Sequence, residues 1–249
     1  MNVTAVVLTL NEERNVEACL ASLAWADRMV VFDSFSTDRT VDLARAAGAD
    51  VIQHPFENYA QQHNAALDQV EADWIFFVDA DERATPELAE EVRAVTAGRH
   101  EQVAWAMPRH NYIFGRLTLR AGWYPDYQTR LLLRGRVYWE RPVHEVAVLD
   151  GPRGYLERPL IHYNYADLAD FVDRQERYTG VDAGILFEQG VHSRLYTPYS
   201  QAVRQFWWRF VALRGAQDGL HGLWLSLLMA YYEAVKYRKL ARLWKTSDL

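Results

Sequence analysis

Apolar and polar residues alternate with two different periods along the first hundred residues of the chain. Short, uninterrupted apolar runs predict four buried strands, at residues 3–8, 29–33, 50–53 and 74–80. Apolar positions that recur every three or four residues predict four helices, at residues 12–24, 37–49, 58–70 and 86–98. Each predicted strand is followed by a helix, and repeated strand–helix–strand units form a parallel sheet with helices packed on its faces.

The pattern changes after residue 100. Short apolar runs within residues 103–162 predict a small antiparallel extension of the sheet. The helical period then returns and predicts three helices, at residues 168–188, 198–213 and 220–243. The pattern therefore predicts an α/β fold class with a mostly parallel sheet. We expect a first domain at residues 1–165, in two halves at 1–100 and 101–165, and a helical C-terminal region at 166–249.

Polar side chains follow three of the predicted parallel strands at the point where each strand ends. They are Thr9, Asn11 and Glu12 after the first strand; Asp33, Ser34, Ser36, Thr37 and Asp38 after the second; and Asp79, Asp81 and Glu82 after the fourth. The carboxyl ends of parallel strands meet at one edge of a sheet, and ligands bind in the crevice outside that edge. We therefore expect these side chains to converge on one site.

The segment FFVDADE brings three carboxylates together directly after an apolar strand. Like charges at this spacing repel, so the strand either ends in a solvated turn or holds its carboxylates around a cation. The wholly apolar run WIFFV favours the second interpretation, because it predicts a central strand. Asp79 and Asp81 can face one ion, and carboxylate oxygens suit Mg²⁺ or Mn²⁺. Neither a GxxxxGK[ST] nor a GxGxxG motif is present, which argues against a P-loop or a dinucleotide fingerprint.

Charge is distributed unevenly between the two ends of the chain. The 249 residues carry a net charge of −6, but residues 204–245 contain eight basic and two acidic residues, so this segment is +6 and the remainder −12. A basic, aromatic-rich end indicates an anionic partner surface, either a membrane or a nucleic acid. The apolar run at residues 222–232 is only 11 residues long, whereas a spanning helix needs about 20. The composition favours a helix in the headgroup layer over a helical cap with a solvated basic face.

The cysteine content and the N-terminal sequence indicate the cellular compartment in which the protein is expected. A single cysteine, Cys19, allows no intrachain disulfide, which fits a reducing compartment. The N-terminal residues lack the basic region of a secretory signal and run directly into a strand-like pattern. We expect a cytoplasmic protein, peripheral on the inner face of the cytoplasmic membrane.

Several segments carry a resemblance to a known family. VVLTLNEERNVEACLASL, VVFDSFSTDRTVDLARAAGA, YAQQHNAAL and WIFFVDADE stand in the order seen in inverting family 2 glycosyltransferases of the GT-A fold. GWYPDYQTRLLLRGRVYWERPVHE, LIHYNYADLADFVDRQERYT and the C-terminal RGAQDGLHGLWLSLLMAYYEAVKYRKL resemble the bacterial lipopolysaccharide-core beta-glucosyltransferase group. The resemblance covers nearly the whole chain and implies a GT-A, Rossmann-like fold. It also implies metal-dependent, inverting transfer of a hexose from a nucleotide sugar, expected to be UDP-linked, to a saccharide of a lipopolysaccharide core or similar glycan.

The resemblance also implies roles for particular residues. Asp81 is expected to be the main ligand of Mg²⁺ or Mn²⁺, with Asp79 directed toward the ribose or the metal; His144 is expected to complete the metal site, with His162 as its competitor. The residues expected to bind the nucleotide are Thr9, Asn11, Glu12, Asp33, Asn64 and Asp79. Asn11 and Glu12 can instead begin the following helix.

The general base is left open between two carboxylates. An inverting transfer needs a base that deprotonates the acceptor hydroxyl, and Asp126 and Glu145 are the candidates. Glu145 is slightly favoured, because a second ligand-type residue, His144, adjoins it. Glu82 is expected either to support the site or to cap the next helix, and Arg130 to pair with phosphate or to be an ordinary ion-pair residue.

Phe35 is a departure from the family pattern. The family commonly has a glycine at this position, and a positive φ is unfavourable for phenylalanine. The substitution therefore argues against the usual turn geometry.

Three other functions are alternatives to this one. A sugar-phosphate nucleotidylyltransferase would show a glycine-rich, basic loop after the first strand, and LTLNEERNV has none. In a phosphatase of the haloacid dehalogenase type, the Asp-x-Asp pair would follow the first strand rather than the fourth. A non-catalytic, membrane-bound nucleotide-sugar binding protein would bind UDP without turnover. The expected partners are a nucleotide sugar donor, a lipid-linked or core saccharide acceptor and an anionic inner-membrane surface, with no nucleic acid.

Overall fold

The chain divides into two compact units. The computed structural model describes residues 1–98, 101–140 and 146–247. Unit 1 comprises Met1–His110 and Asp126–His162, and unit 2 comprises Asn111–Pro125 and Tyr163–Leu249. The predicted boundary at residue 165 lies close to the point where the chain passes into unit 2, but residues 111–125 also group with the helical unit.

Twelve strands run through the described residues. They are β1 (Val3–Thr9), β2 (Arg28–Asp33), β3 (Asp50–Gln53), β4 (Trp74–Asp79), β5 (Glu82–Ala84), β6 (Ala104–Ile113), β7 (Arg116–Thr118), β8 (Tyr127–Leu133), β9 (Val137–Glu140), β10 (Val146–Leu149), β11 (Arg153–Tyr155) and β12 (Leu160–Tyr165). In unit 1 the main sheet has the order β3-β2-β1-β4-β8-β6. The first four of these strands are parallel, and β8 is antiparallel to both of its neighbours. The predicted parallel sheet with an antiparallel extension is therefore confirmed.

Both faces of the central strands are buried, which explains their uninterrupted apolar sequences. In β4, Phe76 and Val78 belong to one core cluster, whereas Ile75 and Phe77 belong to the cluster on the opposite face. Successive side chains of a strand point to opposite faces, so a strand covered on both sides needs apolar residues at every position. This is why the run WIFFV predicted a central strand correctly.

Four helices in unit 1 follow the parallel strands. They are α1 (Val16–Ser22), α2 (Thr40–Ala46), α3 (Tyr59–Gln69) and α4 (Pro86–Ala97). The prediction that α1 starts at residue 12 is wrong, because Asn15 and Val16 donate their backbone N–H groups to the carbonyl oxygen of Glu12 in a turn that precedes the helix. Thr85 caps α4 by accepting a hydrogen bond from the Leu88 N–H, so the helix-capping interpretation of Glu82 is also wrong.

Unit 2 is built from helices that enclose their own core. They are α5 (Leu168–Glu188), α6 (Thr197–Trp207), a π-helical segment (Trp208–Ala212), a 3₁₀ turn (Gly215–Asp218) and α7 (Gly219–Ser247). Its core contains Ile113, Tyr165, Phe171, Leu225 and Tyr232. Gly222 allows the 3₁₀ turn to lie directly against α7, since an added Cβ would be 1.9 Å from the carbonyl oxygen of Gly215.

The long C-terminal helix does not have the character of a membrane span. Among the described residues, none of the helices contains a stretch that is both long enough and apolar enough to cross a bilayer.

Candidate active site

The carboxyl ends of β1, β2 and β4 lie side by side and carry the polar residues expected to form the site. Leu8 is paired with Asp79 on one side of β1, and Thr9 with Asp33 on the other. The strand order reverses between β1 and β4, since β2 and β3 lie on one side of β1 and β4 on the other. This is the topological switch point at which open α/β sheets bind their ligands.

Asp33 joins the ends of three strands. It is fully buried and accepts hydrogen bonds from the Thr9 hydroxyl at 2.9 Å, the Gln53 amide at 3.1 Å and the Ser36 backbone N–H at 2.9 Å. The Ser36 hydroxyl donates a further bond to it. These four hydrogen bonds fix the orientation of the Asp33 carboxylate. The residues Thr9 and Asp33, both expected to bind nucleotide, are thus brought into contact at the rim.

Asn11 and Phe35 occupy the left-handed region of φ, with values of 58° and 60°. The Asn11 side-chain oxygen accepts from the Thr37 backbone N–H at 2.9 Å, and the Asn11 N–H donates to the Ser36 hydroxyl at 2.8 Å. The two loops that follow β1 and β2 are therefore joined through Asn11. Its alternative role as the cap of α1 is wrong, because Asn15 occupies that position.

Phe35 keeps a glycine-like turn despite its side chain. The sequence argued against this geometry, and that expectation is wrong. The bonds from Ser36 to Asp33 fix the turn, and they offset a left-handed conformation that costs a residue with a Cβ about 1–2 kcal/mol.

Replacing Phe35 by glycine is expected to stabilise the protein. Phe35 is 55% exposed, so Phe35→Gly removes little packing and relieves the left-handed strain, which should raise the free energy of unfolding by about 1 kcal/mol. Urea denaturation measures the change. The control is Phe56→Gly, at an exposed phenylalanine outside the positive-φ set, which should lower stability. A loss of stability in Phe35→Gly would contradict the strain argument.

Glu12 and Asn64 also hold neighbouring segments in place. The Glu12 backbone N–H donates to the Thr40 hydroxyl at 2.8 Å, and its carboxylate accepts from the Asn15 amide at 2.8 Å. Asn64, on α3, exchanges two hydrogen bonds with the backbone of Trp139 in β9, at 2.8 and 2.9 Å. Nucleotide binding by either residue stays a prediction.

The cation between the DADE carboxylates is a guanidinium group. Arg130, on β8, donates to both oxygens of Asp79 and also contacts the Glu82 carboxylate at 2.7 Å. Glu82 has no exposed surface, and its other oxygen accepts the Asp79 backbone N–H at 2.9 Å. The side chain of Arg130 therefore neutralises two of the three carboxylates as a buried ion-pair residue. Its pairing with phosphate stays a prediction.

The pKa values of the two carboxylates paired with Arg130 shift in opposite directions. Burial by itself would raise the pKa of Asp79, but the charge and hydrogen bonds of Arg130, with help from Arg109 and His63, lower it to about 2. Burial raises the pKa of Glu82, and the neighbouring Asp79 charge adds to the rise, although Arg130 and Arg109 oppose it. Asp79 therefore stays ionised, whereas Glu82 depends on the two arginines to carry its charge.

Arg109 extends the network to the base candidate Asp126. Its guanidinium contacts Glu82 at 3.2 Å and Asp126 Oδ2 at 2.7 and 2.8 Å through two nitrogens. The other Asp126 oxygen accepts from the Gln128 amide at 2.8 Å. Carboxylates and guanidiniums thus alternate in the order Asp79–Arg130–Glu82–Arg109–Asp126. We call these five residues the charge ladder.

Asp81 faces His162. The distance from Asp81 Oδ2 to His162 Nε2 is 3.4 Å, and both side chains are largely buried. His162 reaches this position because β12 pairs antiparallel with β5, which sets His162 opposite Glu82. A carboxylate oxygen and an imidazole nitrogen are both donors to divalent cations.

Asp81 and His162 together offer two donors, which is the number that a Mg²⁺-type site commonly takes from the protein. Within residues 1–98, 101–140 and 146–247, no three histidine, cysteine, aspartate or glutamate side chains converge as a metal cage. Mg²⁺-type sites commonly use one or two carboxylates and complete their coordination with substrate phosphates and water. Asp81 with His162 fits that requirement. His144 and Glu145 lie outside the described residues, so their expected roles stay predictions.

Arg109 and the position of His162 were missed in the sequence. Arg109 ends the apolar run VAWAMPR, and an arginine in such a run signals a buried ion pair. Its partners cannot be identified from the sequence, because Glu82 is 27 residues away and Asp126 is 17 residues away.

The chain is similar in sequence to known glycosyltransferases. The profile described as glycosyl transferase family 2 matches residues 4–144. The chain is 28% identical to "Lipopolysaccharide core biosynthesis glycosyltransferase LpsC" of Rhizobium meliloti (strain 1021), over 93% of this chain and 86% of that protein. It is 26% identical to an uncharacterised glycosyltransferase of Rickettsia bellii (strain RML369-C), over 97% of this chain and 86% of that one.

The fold is also found among solved structures. A structure titled "Crystal Structure of a Mycobacterial Protein" superposes with a TM-score of 0.50 at 17% identity, covering 76% of this chain and 75% of that one. The predicted GT-A type fold and the predicted glycosyltransferase activity are both confirmed. The profile match covers more than half of the chain and includes every residue of the charge ladder, so the chain belongs to glycosyl transferase family 2.

Proposed function

We propose that this glycosyltransferase moves a hexose, with inversion, from a UDP-linked donor to a saccharide of a lipopolysaccharide core or similar surface glycan. The observation that carries the proposal is the division of the DADE carboxylates. Asp79 and Glu82 are neutralised by Arg130, whereas Asp81 faces His162 at 3.4 Å at the carboxyl end of β4. Asp81 is thus the carboxylate best placed for a cation and a diphosphate.

Different residues of the rim are proposed to bind different parts of the nucleotide. Thr9, Asn11, Glu12 and Asp33 surround the ends of β1 and β2, on the side proposed for the uridine, with Asn64 on the neighbouring α3. Asp79 lies between this side and Asp81, at the position proposed for the ribose. The sheet thereby holds the nucleotide across the switch point, with the diphosphate at β4.

The metal is proposed to be Mg²⁺ or Mn²⁺, held by Asp81 with His162 or His144. When bound, such an ion stabilises the negative charge that the leaving nucleoside diphosphate develops. The work of this chain's own residues is to orient the donor and to remove a proton from the acceptor hydroxyl. Asp126 and Glu145 are the proposed carboxylates for that proton.

The acceptor class rests on a relative. LpsC is described as a lipopolysaccharide core biosynthesis glycosyltransferase, and a core or lipid-linked saccharide is the acceptor we propose for this chain. Synthesis of such a saccharide from a nucleotide sugar would place the enzyme in the cytoplasm, at the inner face of the cytoplasmic membrane.

Thermal unfolding in the presence of nucleotides tests the donor and metal. We expect UDP or a UDP-hexose together with Mn²⁺ to raise the Tm, with either component alone giving a smaller shift, because a ligand that binds only the folded state stabilises it. Other nucleoside diphosphates should shift the Tm less. The Asp81→Ala variant should lose the part of the shift that requires metal.

The matched control is Asp68→Ala, at an exposed aspartate on α3, which should retain the full shift. If the nucleotide shift is the same with and without Mn²⁺, and the same in Asp81→Ala, the proposed metal-dependent binding mode is wrong.

A further inference from the structure

The exposed face of α7 changes from apolar to basic along the helix. Its first half exposes Leu220, Trp224, Leu227 and Tyr231. Its second half exposes Arg238, Arg242 and Lys245. At 100° per residue these seven positions fall within a sector of about 60°. One continuous stripe therefore has an apolar end and a cationic end.

The neighbouring α6 adds a second apolar stripe. Tyr199, Val203 and Trp207 are spaced four residues apart and are each more than half exposed. The two helices pack against each other within unit 2. Large exposed apolar patches of this kind mark interaction sites on folded proteins. We call these three residues and the seven of α7 the docking face.

The charge around the docking face is one-sided. Residues 197–247 contain only two acidic side chains, Asp218 and Glu233, and neither is exposed. Glu233 is moreover paired with Lys236 at 2.8 Å. Within residues 197–247 the docking face therefore carries an excess of positive charge.

A second exposed apolar surface in the same unit carries no net charge. On α5, Val172 and Tyr178 are exposed, and the charged residues between them are two acidic and two basic, Asp173, Arg174, Glu176 and Arg177. An anionic surface would be attracted to the docking face more strongly than to this one. The contrast identifies which of the two apolar surfaces suits an anionic partner.

We infer that the docking face binds the surface of an anionic lipid bilayer, with α6 and α7 lying in the interface. Tryptophan and tyrosine favour the headgroup level of a bilayer, and exposed arginine and lysine are attracted to anionic lipids. A cationic, aromatic helix that cannot span a bilayer matches the interfacial mode of binding. The inference rests on the proposed function for its lipid-linked acceptor. Bilayer binding itself can be measured without any acceptor.

Sedimentation of the full-length protein with vesicles tests the inference. We expect binding to vesicles of phosphatidylcholine with phosphatidylglycerol at low salt, binding at least tenfold weaker to phosphatidylcholine alone, and release at high salt. Tryptophan emission should shift to the blue on binding. Absence of binding to anionic vesicles at low salt would overturn the inference. It would also be overturned if self-association or RNA binding required the residues of the docking face and vesicle binding did not.

Two pairs of variants separate the apolar and cationic contributions. Trp224→Ala should weaken vesicle binding about tenfold, whereas Tyr178→Ala should leave it unchanged, although the two side chains are 49% and 50% exposed. Arg242→Gln should weaken it roughly fivefold and flatten the salt dependence, whereas Arg177→Gln on α5 should not. Equal binding by the test and control variants would overturn the inference.

The nucleotide-dependent Tm shift provides the independent readout. The docking-face variants should keep the UDP and Mn²⁺ shift of the unsubstituted protein. If the unsubstituted protein shows vesicle binding without that shift, the proposed function fails and the docking face stands. If it shows the shift without vesicle binding, the docking face fails and the proposed function stands.

Discussion

Arg130→Met is expected to lower the free energy of unfolding by about 3–5 kcal/mol, because removing one partner of a buried ion pair leaves the other charge uncompensated. Glu82 has no exposed surface and relies on Arg130 at 2.7 Å. Methionine replaces the aliphatic part of the arginine side chain, so the loss reports mainly on charge. Urea unfolding at neutral pH measures it.

Two further variants test this explanation. Arg28→Met removes a solvent-exposed pair with Asp50, and exposed pairs contribute only about 0–1 kcal/mol. Adding Glu82→Gln to Arg130→Met removes the stranded charge and should restore part of the stability. If Arg28→Met costs as much as Arg130→Met, or if the double variant recovers nothing, the ladder does not stabilise the fold as described.

The same substitution has a pH signature. Asp79 has its pKa lowered to about 2 in the folded protein, so its stabilising contribution is complete above its usual pKa near 4 and is lost as the pH falls toward 2. Glu82 has a raised pKa, so the cost of leaving it without Arg130 is relieved as it becomes protonated. Both effects act in one direction: the stability difference between the parent protein and Arg130→Met should shrink as the pH falls, first through protonation of Glu82 above its usual pKa of about 4.5 and then through Asp79 between about 4 and 2.

Glu145→Gln is expected to lower kcat by about 10²–10⁴, the usual contribution of a general base, while leaving the UDP-dependent Tm shift intact. Glu145 is favoured because of the contacts made by the other candidate base, Asp126. Asp126 already has one oxygen in contact with two nitrogens of Arg109 and the other accepting from Gln128. A carboxylate engaged in this way is poorly available to take a proton from an acceptor hydroxyl.

Asp126→Asn is the matched variant for this test. It keeps the size of the side chain but removes a charge from the end of the ladder, so we expect a loss of stability with a smaller fall in kcat. Steady-state kinetics with a UDP-hexose and a core saccharide acceptor, together with urea unfolding, measures both quantities. If Asp126→Asn abolishes turnover while Glu145→Gln does not, the two assignments must be exchanged.

The arrangement of strands and helices in unit 1 could be predicted because it is recorded in local periodicity. The uninterrupted run in β4 reflects burial on both faces, and the recurring apolar positions of α3 and α4 reflect burial on one. Alternation of strand and helix then required a parallel sheet, and the parallel sheet placed the polar strand ends on one rim. Errors occurred at boundaries such as the start of α1, where a turn with its own hydrogen bonds precedes the helix.

The pairing of charges could not be predicted in the same way. FFVDADE shows that three carboxylates share one turn, and that a cation belongs there. Which cation serves which carboxylate depends on β8 lying next to β4 and on β12 pairing with β5, and these place Arg130 and His162 beside residues 51 and 81 positions away. The turn at Phe35 is a similar case, since bonds between Ser36 and Asp33 outweigh the local preference of phenylalanine.

The sequence by itself therefore determined the fold class, the rim on which the polar strand ends meet and the need for a cation among the carboxylates, because periodicity and charge spacing are local properties. Only the tertiary structure decided that Arg130 neutralises Asp79 and Glu82 and that Asp81 faces His162. The physical reason is that electrostatic partners are selected by distance in space, and strand pairing brings together charges that lie far apart along the chain.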